Sequence, residues 1–168
     1  MPEKLLAFDP SSSCTGWALG LRDDRDLQVC QADLFRPPGK VTGWQKVRWM
    51  AVQARTVIAQ CKPDQIIIEV PGGKVHGKHP GAGLSVYGGA AGAIDNECTR
   101  AAFTVAVTPA DWARGFPKAR RPVKAVMLWS GYAAIAAKDT GLDIADAVCL
   151  LDHFAMILAR EDRMRLVR

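Results

Sequence analysis

The sequence predicts an α/β fold, a mixed central sheet of about five strands with helices on its faces. Three observations predict it. Two short runs, Leu5-Leu6-Ala7-Phe8 and Ile66-Ile67-Ile68, are apolar without alternation, as in strands covered on both sides. Between and after them, apolar residues recur at helical spacing. The elements read in the order β-β-β-α-β-α-β-α-α, a meander followed by alternation, which calls for a mixed sheet.

Residues 4–9 form the first strand, and Pro10 with the following serines breaks it. Residues 15–21 and 27–35 read as two more strands, joined as a hairpin by the charged link Arg22-Asp23-Asp24-Arg25-Asp26. Pro37-Pro38-Gly39 ends the meander. From about residue 41 to 61, apolar residues at 44, 47, 51, 54 and 58 mark an amphipathic helix, with Trp44 and Val47 assigned to the core. Trp49 lies off that stripe, a candidate interface or DNA contact. Pro63 closes the helix, and residues 65–70 make the second fully buried strand. Residues 72–92 hold eight glycines; the first half reads as a basic loop and the second enters a helix running to about Arg100. A short strand at 103–107, a helix at about 122–137 and a final helix at about 142–161 complete the order.

A chain of 168 residues favours one domain, 1–168, and its 49% hydrophobic content is enough for a proper core. No apolar run approaches the ~18 residues of a membrane span, and the N-terminus does not read as a signal peptide. The expected location is the cytoplasm, of a bacterial cell or of a host if the protein is phage-encoded. Five scattered cysteines without a CxxC pair suggest neither a disulfide framework nor a zinc site, and most are expected as small core residues. His76 and His79 form an HxxH with no cysteine or carboxylate near, a poor metal site. The net charge of +5 is modest, but Arg114, Lys118, Arg120, Arg121 and Lys124 fall within eleven residues, which suits a polyanionic partner. The C-terminal arginines read as a solvated tail.

Asp9 and Glu69 each end a buried apolar strand. If the two strands are parallel neighbours, both carboxylates leave the same edge, where open α/β sheets place their ligands. Asp143 and Asp146, spaced i, i+3, share a face in the first turn of the last helix. The apolar positions 147, 150, 151, 154 and 158 would press that helix onto the sheet and aim both acids at the strand edge. Four carboxylates meeting at one point can hold two Mg²⁺ or Mn²⁺ ions. Two such ions about 3.5–4 Å apart suit in-line displacement at phosphorus. Plainer roles stand beside this one: Thr140-x-x-Asp143 resembles a capping box, and Asp9 before Pro10 could open a turn. Tyr87 and Trp112 receive no assignment.

The segment Leu6-Ala7-Phe8-Asp9-Pro10-Ser11-Ser12-Ser13-Cys14-Thr15-Gly16-Trp17-Ala18 resembles the opening strand and turn of RuvC-type Holliday junction resolvases, particularly phage-like members. Ile66-Ile67-Ile68-Glu69 resembles their second acidic strand, and Gly141-Leu142-Asp143-Ile144-Ala145-Asp146-Ala147 their C-terminal Asp-x-x-Asp-Ala helix. The likeness runs in order from about residue 4 to 158. It implies a ribonuclease H-like fold and a homodimer acting on four-way DNA junctions. Each subunit would nick one of two symmetry-related strands, leaving 5′-phosphate and 3′-hydroxyl ends. It also implies that Asp9, Glu69, Asp143 and Asp146 are the metal-binding catalytic residues, with two Mg²⁺ or Mn²⁺ per site. The basic segment falls where the family carries a catalytically important lysine, for which Lys124 and Arg121 are the candidates. Lys118 and Arg120 join them as candidate DNA contacts.

This sequence departs from the family at two points. The usual Asp-Pro-Gly turn reads Asp9-Pro10-Ser11, and Gly72 stands where cellular members often carry an aromatic that stacks on junction bases. The loop bearing Lys74, His76, Lys78 and His79 either contacts the crossover instead or is a plain connector. Two other functions use the same features: a related nuclease for other branched DNA or structured RNA, and a non-catalytic junction-binding module. Four aligned acids argue against the module, because they repel phosphate unless metal is present. An actin-like nucleotide-binding domain fits less well, since the chain is too short for two lobes.

Overall fold

A computed structural model of the chain describes residues 1–24, 26–72 and 81–166, the side chains of 81–84 and 166 excepted. Five strands, β1 (Glu3–Pro10), β2 (Thr15–Asp23), β3 (Asp26–Phe35), β4 (Gln65–Glu69) and β5 (Phe103–Val107), form one sheet in the order β3-β2-β1-β4-β5. β1, β2 and β3 run antiparallel as a meander, with Asp23 opposite Asp26 at the hairpin and Asp24 in the left-handed region at φ 47°. β1 and β4 are parallel, as are β4 and β5. The five strands expected from the sequence are all present. Asp9 and Pro10 belong to β1, opposite Gly16 and Thr15, so the chain turns after them and not at Asp9.

The unbroken apolar runs of β1 and β4 are explained by two cores, one on each face of the sheet. Leu6, Phe8, Ile66 and Ile68 face α1 (Gly43–Cys61) and α2 (Gly81–Ala101), burying Met50, Ala54, Ile94 and Cys98 against them. Leu5, Ala7 and Ile67 face the opposite way, toward the helix at 143–166 and its Val148, Leu151 and Phe154. Alternate residues of a strand point to opposite faces, so each run fills both cores at once. Cys14, Cys98 and Cys149 are buried as expected, whereas Cys30 is exposed.

Three helical expectations need correction. The helix expected at about 122–137 is two, α4 (Arg121–Leu128) and α5 (Tyr132–Ile135), after the four-residue α3 (Pro109–Trp112) and a 3-10 turn at Lys118–Arg120. Trp129 leaves α4 in an extended conformation, and a side chain at Gly131 would run into its indole. The break lets Tyr132 bury itself and donate its hydroxyl to Asp139 at 3.0 Å. The last helix, α6 (Asp143–Leu166), runs past 161, so Arg163 and Arg165 are exposed on helix and not on a loose tail. In α1, Val47 is buried but Trp44 is 67% exposed: it lies in the first turn, its ring covering Gly89 of α2. Trp49 is partly buried, packing on the second core with its ring edge-on to Phe35 at 6.2 Å.

Candidate active site

The register that pairs Phe8 with Ile68 brings the next residues, Asp9 and Glu69, to one edge of the sheet on the α6 face. Asp143 and Asp146 reach that edge from the first turn of α6. The helix can come this close because β2 carries Gly16, where any Cβ would overlap the Asp143 carbonyl. All four acids are buried, at 5–9% exposure. The four acids thus reach one edge of the sheet from three elements and feel one another's charge.

The helix start is held differently from the expected capping box. Leu142 takes a left-handed conformation, φ 64°, and its carbonyl accepts the first helical bond from Asp146 N–H. The cap comes from Asp139, whose carboxylate accepts from the N–H groups of Ile144 at 3.0 Å and Ala145 at 2.9 Å. A capping carboxylate here satisfies two orphan donors and meets the positive end of the helix dipole. Asp143 is thus released from capping and faces the site.

Three of the four acids meet different donors. The Cys14 thiol donates to Asp143 Oδ2 at 3.0 Å. Glu69 accepts from the Trp112 indole N–H at 2.6 Å and from the Tyr87 hydroxyl at 3.2 Å. Arg121 Nη1 contacts Asp146 Oδ2 at 2.7 Å, and Lys118 Nζ stands 3.7 Å from the same oxygen. The Arg121 guanidinium also lies over the Trp112 ring, 4.8 Å from its centre. Asp146 Oδ1 is buried without a hydrogen-bond partner, and so is Arg121 Nε.

Burial raises the pKa of Asp9 well above the ordinary carboxylate value, and the neighbouring Glu69, Asp146 and Asp143 raise it further, against Lys118. Burial also raises Glu69, opposed by the Trp112 and Tyr87 hydrogen bonds, and raises Asp146, opposed by Arg121. Desolvation and like charge both disfavour ionisation, so the cluster favours either protons or cations. As the side chains stand, no group of three or more His, Cys, Asp or Glu among the described residues is arranged to hold a metal ion. The chemistry of the donor set nevertheless fits a hard divalent cation: it is all oxygen and includes the unpartnered Asp146 Oδ1.

Of the basic candidates, Arg121 and Lys118 stand at the site. Arg120 is exposed beside it on the 3-10 turn, and Lys124 pairs instead with Asp152 at 3.1 Å. Lys74, His76 and Lys78 lie outside the described residues, as does His79. Sequence reasoning missed Tyr87, Trp112, Cys14 and Asp139. Tyr87 is the only Phe, Trp or Tyr in the glycine-rich stretch 72–92, and Trp112 directly follows a Thr108-Pro109-x-Asp111 helix start. Either pattern could have drawn notice.

The five-stranded mixed sheet of this order, with helices on both faces, is an α/β fold of the ribonuclease H-like class. Within that class, the chain is similar in fold to resolvases of the RuvC type. RuvC of Thermus thermophilus, solved in complex with Holliday junction substrate, superposes with a TM-score of 0.66 at 12% sequence identity, covering 89% of this chain and 91% of that chain. The yeast mitochondrial Holliday junction resolvase gives 0.58 at 12% identity, covering 90% and 78%. The fowlpox virus Holliday junction resolvase gives 0.58 at 15% identity, covering 92% and 99%. No protein-family model matches the sequence, and no curated protein matches it.

Proposed function

We propose that this protein is a divalent-metal-dependent endonuclease that resolves four-way DNA junctions by paired symmetric nicks. The observation that carries the reading is the convergence of Asp9, Glu69, Asp143 and Asp146, all buried, at one sheet edge. A cell of four carboxylates has no stabilising role of its own, because each raises the cost of ionising the next. The fold shared with junction resolvases supports the choice of substrate.

In this reading the four acids would hold two Mg²⁺ or Mn²⁺ ions. Such ions supply an activated water and neutralise charge on the scissile phosphate. The chain's own residues do the rest. Trp112 and Tyr87 orient Glu69, and Cys14 orients Asp143. Arg121 neutralises Asp146 through Oδ2 and leaves Oδ1 as the oxygen that would face a cation. Lys118, more than half exposed beside Asp146, is the cation best placed to meet an incoming phosphate. Water displaces the 3′ oxygen, so the products carry 5′-phosphate and 3′-hydroxyl ends. A homodimer would present two identical sites to a two-fold junction, since an isologous interface shares that symmetry.

The test is to incubate the protein with an end-labelled four-way junction in Mg²⁺, in Mn²⁺ and in chelator, and to map the cuts. Paired nicks at symmetry-related positions are expected with either metal and none with chelator. Asp9→Asn and Asp146→Asn should each reduce nicking at least a hundredfold while junction binding survives. Metal-independent cleavage, or cleavage that survives Asp146→Asn, would refute the assignment. Preferential cleavage of a fork or an RNA hairpin would redirect it to another substrate.

A further inference from the structure

Glu69 and Asp146 belong to different elements, β4 and α6, and one side chain is linked to both. Trp112 is the last residue of α3, directly after β5. That short helix is fixed at its start by Pro109 and by a reciprocal capping box between Thr108 and Asp111. The indole is 7% exposed, so it has little room to turn. Its N–H can only donate, and it donates to Glu69 Oε2 at 2.6 Å. Its ring face carries the Arg121 guanidinium at 4.8 Å, in the geometry of a cation–π contact. Arg121 in turn holds Asp146 Oδ2 at 2.7 Å. Because Arg121 Nε is buried and has no hydrogen-bond partner, the Trp112 face is part of what keeps the guanidinium in place.

We propose that Trp112 is a positioning residue of this site, its N–H fixing Glu69 and its ring supporting the Arg121 that holds Asp146. One side chain thereby sets the spacing between the acid of β4 and the acid of α6. The inference rests on the metal-site reading above. Groups that hydrogen-bond a metal-ligating carboxylate fix its direction, and losing one costs typically 10–100-fold in metal affinity or activity. A tryptophan that merely fills the core would affect stability alone.

The experiment titrates Mn²⁺ calorimetrically into the wild-type protein and Trp112→Phe, with circular dichroism and a melting curve on each. Phenylalanine keeps a ring for Arg121 and removes the N–H. Mn²⁺ binding is expected to weaken tenfold or more, and junction nicking by Trp112→Phe should recover toward wild type as Mn²⁺ is raised. Affinity within twofold of wild type, or a nicking defect that excess Mn²⁺ does not relieve, overturns the proposal. A second measurement needs no variant. Among the five tryptophans, the ¹⁵N-indole resonance of Trp112 should move on adding Mg²⁺ while that of exposed Trp44 stays. A Trp112 resonance unmoved by saturating Mg²⁺ overturns the proposal as well. If wild-type protein itself takes up no Mn²⁺, the metal-site reading fails first, and visibly so, and the positioning role falls with it.

Discussion

Asp9 stands out of water with three other carboxylates in its field, and burial with their charge holds its pKa well above the usual carboxylate range. An acid whose pKa rises on folding binds its proton more tightly in the native state than in the unfolded chain. Without metal, native stability therefore falls as pH rises above the ordinary carboxylate value. The loss is complete once the folded protein has released the proton too. Replacing the carboxylate by an amide removes this penalty. In chelator at neutral pH, Asp9→Asn should stabilise the fold by on the order of 1–3 kcal/mol. At about 2–4 °C per kcal/mol for a chain of this size, that is a rise of several degrees in Tm. The variant's Tm should also fall less than the wild type's between acid and neutral pH. A Tm equal to or below wild type would show that Asp9 bears no such strain. The acids themselves were legible in the sequence, because a carboxylate that ends a strand with two buried faces has no water to face. Trp112 and Tyr87 were not, since what defines them is a partner 43 and 18 residues away.

Among the elements, α6 decides whether the site exists. Its first turn must lie against β2 closely enough for Asp143 and Asp146 to meet the acids of β1 and β4. Gly16 permits that approach, because its missing side chain leaves room for the Asp143 backbone. Gly16→Ala should destabilise by about 1–3 kcal/mol, the usual cost of overpacking, measured by chemical denaturation. It should also weaken Mn²⁺ binding by pushing the helix away. Gly39→Ala, where a new Cβ meets nothing within 4 Å, is the control and should change neither. Equal effects from both variants would remove Gly16 from the account. The strands and the two long outer helices could be anticipated, because their apolar patterns are continuous over whole elements. The break between α4 and α5 could not. Residues 122–137 keep a helix-compatible pattern, and what ends α4 is the fold of Trp129 over Gly131 and the burial of Tyr132 under Asp139. Trp44 misled for a related reason: its place on the stripe is right, but the first turn of α1 carries it to the rim of the core.

On the scale of the whole molecule, the sheet gathers distant parts of the chain at one edge. β1, β4 and α6 begin at residues 3, 65 and 143, yet their acids share one electrostatic environment. Two opposed cores hold that edge rigid, and the basic turn at 118–121 closes over it with Arg121 and Lys118. Overlap with solved junction resolvases over about nine-tenths of the chain accompanies only 12–15% identity, so the fold is shared by largely different sequences. The central claim is that these four carboxylates are a cation site. Anomalous diffraction from crystals soaked in Mn²⁺ tests it most directly. The account predicts manganese peaks among the oxygens of Asp9, Glu69, Asp143 and Asp146. Manganese bound only elsewhere would contradict it.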